Sequence, residues 1–187
     1  MIIYKGLFPY REKFNASTAI AYSTLVSHSL WENGIVFDGN GDFDIDAAKD
    51  YLDVCKDNDG FSYIDIPYFT CSTLSHTLQM SERNVKYVLK NLRKNNILKS
   101  DCIFVPSWLI ESGYVKIAEN TTLKGWQLVL YSLLKERSEY FGGKIDTWTY
   151  KIAEMFSTTE NNVNVLLSIL KKKGYIFKTK KGEIYVK

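Results

Sequence analysis

The chain has 187 residues, 45% hydrophobic and 24% charged, with only three prolines, values that fit a soluble globular protein with one sizeable core or two small ones. Cys55, Cys71 and Cys102 have no CxxC spacing and are too few for a disulfide framework, so the composition points to the reducing cytoplasm and away from an exported, cross-linked fold. The net charge of +3 says little until its distribution is read.

In chain order, MIIYKGLFPYREKF has no apolar stretch long enough for an export signal. A helix is expected from Thr18 to Ser29, containing Tyr22-Ser23-Thr24-Leu25. An acidic α/β segment follows at about residues 31–66: IVFDGNGDFDI reads as a hairpin turning at Gly39-Asn40-Gly41, DIDAAKDYLDVCKD as a short helix capped by Asp44, and FSYIDI as a strand leading into Pro67. Between Asp38 and Asp59 eight aspartates face two lysines. Asp38, Asn40, Asp42 and Asp44 are spaced like the opening of a calcium loop, but Phe43 stands where glycine is needed and Lys49 where a bidentate glutamate is needed. A solvated acidic hairpin is the expectation, and no metal or other cofactor is implied.

Thr70 is placed to cap a short helix reaching Leu78, Gln79-Met80 to turn the chain, and Ser81 to cap a longer helix with Val85, Val88, Leu89 and Leu92 at helical spacing. ILKSDCIFVP then reads as two short strands around Ser100-Asp101. A second opening helix is expected from Thr122 to Arg137, containing Tyr131-Ser132-Leu133-Leu134; its apolar run WQLVLYSLL is far too short for a membrane span. YFGGKI is read as the turn before a strand, since Ser138 and Ile145 stand where a P-loop needs glycine and Ser or Thr. STTENNVNVLLSILKKKGY repeats the cap and long helix, and YIFKTKKGEIYVK reads as a hairpin turning at Lys180-Lys181-Gly182.

A shift of 78 residues places Leu74 on Ile152, Glu82 on Glu160, Asn84 on Asn162, Val85 on Val163, Leu89 on Leu167 and Leu92 on Leu170 without a gap. A unit of this length seen twice is a duplicated domain, because a solenoid needs more copies. The order of opening helix, two further helices and a two-stranded wing resembles the winged helix-turn-helix superfamily, and YVKIAENTTLKGWQLVLYSLL resembles the strand-then-helix entry of plasmid and phage replication initiators. The expected fold is therefore α+β, mainly α: two tandem winged-helix domains over residues 1–112, carrying the insertion, and 113–187.

No GxSxG or HExxH is present, and His28 and His76 lie in no metal-ligand spacing with cysteine, so catalysis is unmotivated. Residues 81–100 instead hold six basic side chains against Glu82 alone, and residues 171–187 hold seven against Glu183 alone. At 100° per residue, Arg83, Tyr87, Lys90 and Lys94 form a stripe opposite the apolar face of the first long helix, flanked by Asn84, Lys86, Asn91 and Arg93. In a winged helix this is the surface that enters a major groove, arginine pairing with base edges and lysine and tyrosine reaching phosphates. On the second long helix the equivalent stripe is Asn161, Val165, Ser168 and Lys172, nearly neutral. Asn161, Asn162, Asn164, Lys172 and the wing lysines Lys178, Lys180 and Lys181 are its candidate DNA contacts. Val165 and Ile169 are surplus to the core and are the candidate self-association surface of a dimer. The sequence thus predicts a non-enzymatic, sequence-specific binder of duplex DNA, and the resemblance implies a plasmid or phage replication initiation or accessory factor with a replication or transcription protein as further partner. A transcriptional repressor and a winged-helix interaction adaptor are the alternatives.

Overall fold

The structure, a computed structural model, describes all residues except 11–12, 36–43, 120, 146–148 and 180–182. The fold is α+β and mainly helical, its strands short. The chain divides into two units, Met1–Gly6 with Ser17–Tyr114 and Leu7–Ala16 with Val115–Lys187. A short N-terminal segment therefore belongs to the second unit although most of its residues lie a hundred positions further on.

The first unit contains, in order, β1 (Ile2–Tyr4), α1 (Ala16–Glu32), α2 (Ile45–Val54), β2 (Tyr63–Asp65), α3 (Cys71–Thr77), α4 (Glu82–Lys94), β3 (Cys102–Phe104) and α5 (Ser107–Glu111). Ala19, Ile20, Ala21, Tyr22, Leu25, Val26 and Leu30 of α1 are all buried. Seven buried residues within twelve positions cover most of the helix surface, so α1 is largely enclosed by its unit and only the face of Thr24, Ser27, His28 and Trp31 meets water. Two buried polar groups fix it there: the Tyr4 backbone N–H donates to Ser23 Oγ at 3.1 Å, and the Tyr22 hydroxyl donates to the Phe104 carbonyl.

Asp44 caps α2 by accepting from the Ala47 N–H at 2.9 Å. Ala48 and Leu52 of α2 and Leu109 and Ile110 of α5 are buried where the two helices pack, and Lys49 reaches Glu111 at 3.7 Å. The five residues of α5 are too few to show a periodicity, and the sequence predicts no element there. The hairpin expected at residues 39–41 lies outside the described residues.

β2 pairs antiparallel with β3, Ile64 opposite Ile103, both buried. The strand expected before Ser100-Asp101 is reduced to one bridge, Leu98 with Ile103. Asn96 leaves α4 in the left-handed region at φ 57°, and Ile97 and Leu98 drop into the core, the turn being closed by Lys99 N–H to the Cys102 carbonyl at 2.9 Å and Phe104 N–H to the Ile97 carbonyl at 2.8 Å. The sheet takes its remaining strand from FSYIDI in the insertion.

The second unit contains β4 (Tyr114–Lys116, beginning at the junction), α6 (Gly125–Tyr140), β5 (Lys144–Ile145), α7 (Thr149–Met155), α8 (Glu160–Lys172), β6 (Ile176–Lys178) and β7 (Ile184–Val186). Gly142 and Gly143, at φ 70° and 99°, make the turn into β5 with backbone angles that only glycine adopts freely. The three strands lie antiparallel in the order β5-β7-β6. Tyr131 and Ser132 repeat the work of Tyr22 and Ser23: the hydroxyl donates to the Lys187 carbonyl at 2.7 Å, and Ser132 Oγ accepts from the Ala118 N–H at 2.9 Å. Phe8 completes this core, stacked on Phe156 at 4.6 Å and edge-on to Trp126 at 6.4 Å.

The repeat extends into the backbone. Gln79 and Ser157, 78 positions apart, are both left-handed, at φ 50° and 44°. Met80 N–H donates to the Ser75 carbonyl as Thr158 N–H does to Ala153, and Ile97 N–H to Leu92 as Tyr175 N–H does to Leu170. Ser81 and Thr159 cap their helices through Asn84 and Asn162 N–H at 3.4 and 3.3 Å. Each short helix thus ends in a non-glycine residue at positive φ, an uncommon conformation outside glycine, and each long helix starts on a hydroxyl cap.

Candidate nucleic-acid interface

α4 separates its side chains by chemistry. Val85, Val88, Leu89 and Leu92 are buried, while Arg83, Asn84, Lys86, Tyr87, Lys90, Arg93 and Lys94 are exposed and Asn91 is half-buried. Glu82 lies in the first turn and Arg93 and Lys94 in the last, the arrangement that the helix dipole favours. Among the described residues no carboxylate lies in ion-pair contact with Arg83, Lys86, Lys90, Arg93 or Lys94. Tyr87, 56% exposed, stands among these cations. Such a face, positively charged and uncompensated, attracts a polyanion and has donors free to meet it.

α8 differs at the same positions. Asn161, Asn164 and Lys172 are exposed, as is Val165 at 52%, and Ile169 is half-buried. Asn162 is already engaged, its amide donating to Thr158 Oγ1 at 3.0 Å across the turn. Lys171, Lys172 and Lys173 are exposed at the helix end and Lys178 on β6. Lys180 and Lys181, the tip of the expected wing, lie outside the described residues.

The strongly perturbed groups are structural. Burial pushes the phenols of Tyr4 and Tyr22 well above their ordinary value. Burial likewise raises Tyr131, whereas hydrogen bonding with Thr122 lowers Tyr175. Among the described residues no group of three or more His, Cys, Asp or Glu side chains gathers as a metal site, and no helix is long and apolar enough to cross a membrane.

One feature had no signal in the sequence. The first unit has an open, mainly apolar pocket of about 270 Å³ lined by Ile2, Thr24, Ser27, His28, Trp31 and Thr77. Trp31 lies parallel to the His28 ring at 5.9 Å and is 52% exposed. Four of these residues share one face of α1, yet a helix with apolar and small polar residues on every side shows no periodicity that would single them out. Compared with known protein families, curated proteins and solved structures, the chain matches none of them.

Proposed function

We propose that the chain is a sequence-specific duplex-DNA-binding protein built from two tandem winged helix-turn-helix units, acting without catalysis. The observation that carries this reading is the α4 face: Arg83, Lys86, Tyr87, Lys90 and Lys94 exposed together on a helix held by a tight turn against α3. Support also comes from the order of elements shared by both units, α2 aside: a first helix, a strand, a helix–turn–helix, then a strand, β3 or β7, that pairs with the strand before the second helix. Replication of a plasmid or phage, as initiator or accessory factor, is the process that the resemblance of the sequence favours. A repressor controlled by a small molecule is the second reading, favoured by the pocket beside Trp31 and Thr77. Val165, half in water on α8, favours coverage by a second copy of the chain and hence a homodimer that lays two α4 faces on one duplex.

The test is a binding titration on duplex DNA across a salt series. Neutralising about six phosphates gives a slope of log affinity on log salt near −5. Arg83→Ala lowers affinity for the preferred sequence by about 1–3 kcal/mol and relaxes sequence preference, while Lys172→Ala with Lys178→Ala weakens all sequences alike and flattens the slope. A flat salt response overturns duplex binding. Equal, sequence-independent losses from the two changes overturn the division of labour between helix and wing.

A further inference from the structure

The hairpin of the second unit presents, besides its lysine, an aromatic ring for which a base-paired duplex has no use. Across β6 and β7, Phe177 is opposite Tyr185, with Tyr175 and Lys187 joined by a backbone hydrogen bond on one side and Thr179 and Glu183 on the other. These residues share one face of the sheet, and Ile176 and Ile184, buried, take the other. Phe177 and Tyr185 stack at 5.0 Å with their rings 9° from parallel, yet half of Phe177 stays in water. A cross-strand aromatic pair supports a hairpin; that accounts for the stacking but not for the ring left open beside so much positive charge. Lys171, Lys172, Lys173, Lys178 and Lys187 are all exposed. Glu183, the sole carboxylate of residues 171–187, is engaged with Thr179 at the far end of the pair.

The outer face of the first unit's sheet is aromatic too, with Phe61 51% exposed, but one of its rings already carries a cation. There Phe104 is opposite Tyr63, both half-buried, with Phe61 edge-on at 5.8 Å and the Lys99 ammonium 3.4 Å from the centre of the Tyr63 ring. Its aromatic surface already holds a cation of its own. On the second unit Phe177 is half exposed, Lys187 shares its face, and the exposed lysines of the α8 end and β6 make the surrounding segment basic. An open π-face within a basic surround is what an unpaired base and its flanking phosphates require, and in a duplex the base faces are stacked and out of reach.

We propose that the outer face of the β6–β7 hairpin binds single-stranded DNA, one unpaired base stacking on Phe177 with Tyr185 behind it, while Lys187, on the same face, meets a phosphate. This rests on the reading of the chain as a DNA-binding protein, and adds an unpaired strand on the outer face of the hairpin to the duplex held by α4 and the basic side chains of the second unit.

The full chain is titrated by fluorescence anisotropy with labelled oligothymidine of about 12 nucleotides, with oligouridine of the same length and with a duplex. Wild type binds oligothymidine at least as tightly as oligouridine. Phe177→Ala and Phe177→Leu, the second keeping apolar bulk without a π-face, each weaken oligothymidine binding by about 5- to 100-fold, leaving duplex affinity and circular dichroism unchanged, and Phe177→Trp restores it. Arg83→Ala weakens duplex binding and spares oligothymidine. No oligothymidine binding by wild type, no loss in Phe177→Leu, or tighter binding of oligouridine overturns the proposal while leaving the duplex reading intact. If duplex binding fails and oligothymidine binding still depends on Phe177, the duplex reading falls and this one stands.

Discussion

Tyr22 is buried in the middle of α1 and donates its hydroxyl hydrogen to the Phe104 carbonyl. Removing that hydroxyl leaves the carbonyl without its donor, so Tyr22→Phe is expected to cost about 0.5–1.5 kcal/mol in urea denaturation at neutral pH. Burial strips water from the phenolate, so the folded pKa stands above the unfolded value of 10.0. The stabilisation is therefore complete below pH 10 and declines as the pH rises from there toward the folded value. Wild type should lose stability steadily above pH 10 and Tyr22→Phe less steeply, part of the remaining slope coming from Tyr4 and Tyr131, whose shifts have the same sign. At this scale the sequence could be read for repetition but not for role. Tyr22-Ser23 and Tyr131-Ser132 recur visibly, yet their partners Tyr4, Phe104, Ala118 and Lys187 are 14 to 82 residues away.

α4 and α8 show what a helix reveals in advance. Caps on Ser81 and Thr159, an inward row at helical spacing and an outward row of other chemistry are all local, and the structure has them where periodicity put them. Short pieces that depend on distant partners are another matter: Ser107–Glu111 is a helix because α2 covers it, and Leu98 bridges only once because Ile97 and Leu98 are drawn inward. On α8, Val163, Leu167 and Leu170 fill the core while Val165 stands 52% exposed beside half-buried Ile169. Full burial of an aliphatic side chain is worth about 1.5–3 kcal/mol, which a second copy of the chain would supply. Val165→Asp with Ile169→Asp should give a folded monomer by light scattering, with weaker duplex binding. A wild type already monomeric at high concentration, with unchanged affinity in the variant, refutes the pairing.

For the whole molecule, composition and the repeat of 78 residues anticipate an α+β, mainly helical protein, but give no hint that Leu7–Ala16 joins the second unit. LFPY is an apolar doublet before a proline, and nothing near it marks Phe156 and Trp126 as its neighbours. Phe8 is fully buried and Phe156 is 2% exposed, so truncation at Phe8 carries the cost of emptying an aromatic core site, about 3–5 kcal/mol for Phe8→Ala. A fragment of residues 115–187 should be poorly folded by circular dichroism and amide NMR, and adding residues 7–16 in trans or by fusion should restore dispersion. A fragment that folds fully without them contradicts this account of the core.

The same placement of Phe8 has a consequence in time. A ribosome adds about 5–20 residues per second, so the 148 positions from Phe8 to Phe156 separate their synthesis by about 7–30 s. Through that interval the chain carries Leu7 and Phe8 without the core that receives them, while α1 to α4 are already complete and free to assemble. Synthesis thus leaves an apolar N-terminal segment waiting, open to chaperones and to neighbouring nascent chains, until the last third of the protein emerges to take it in.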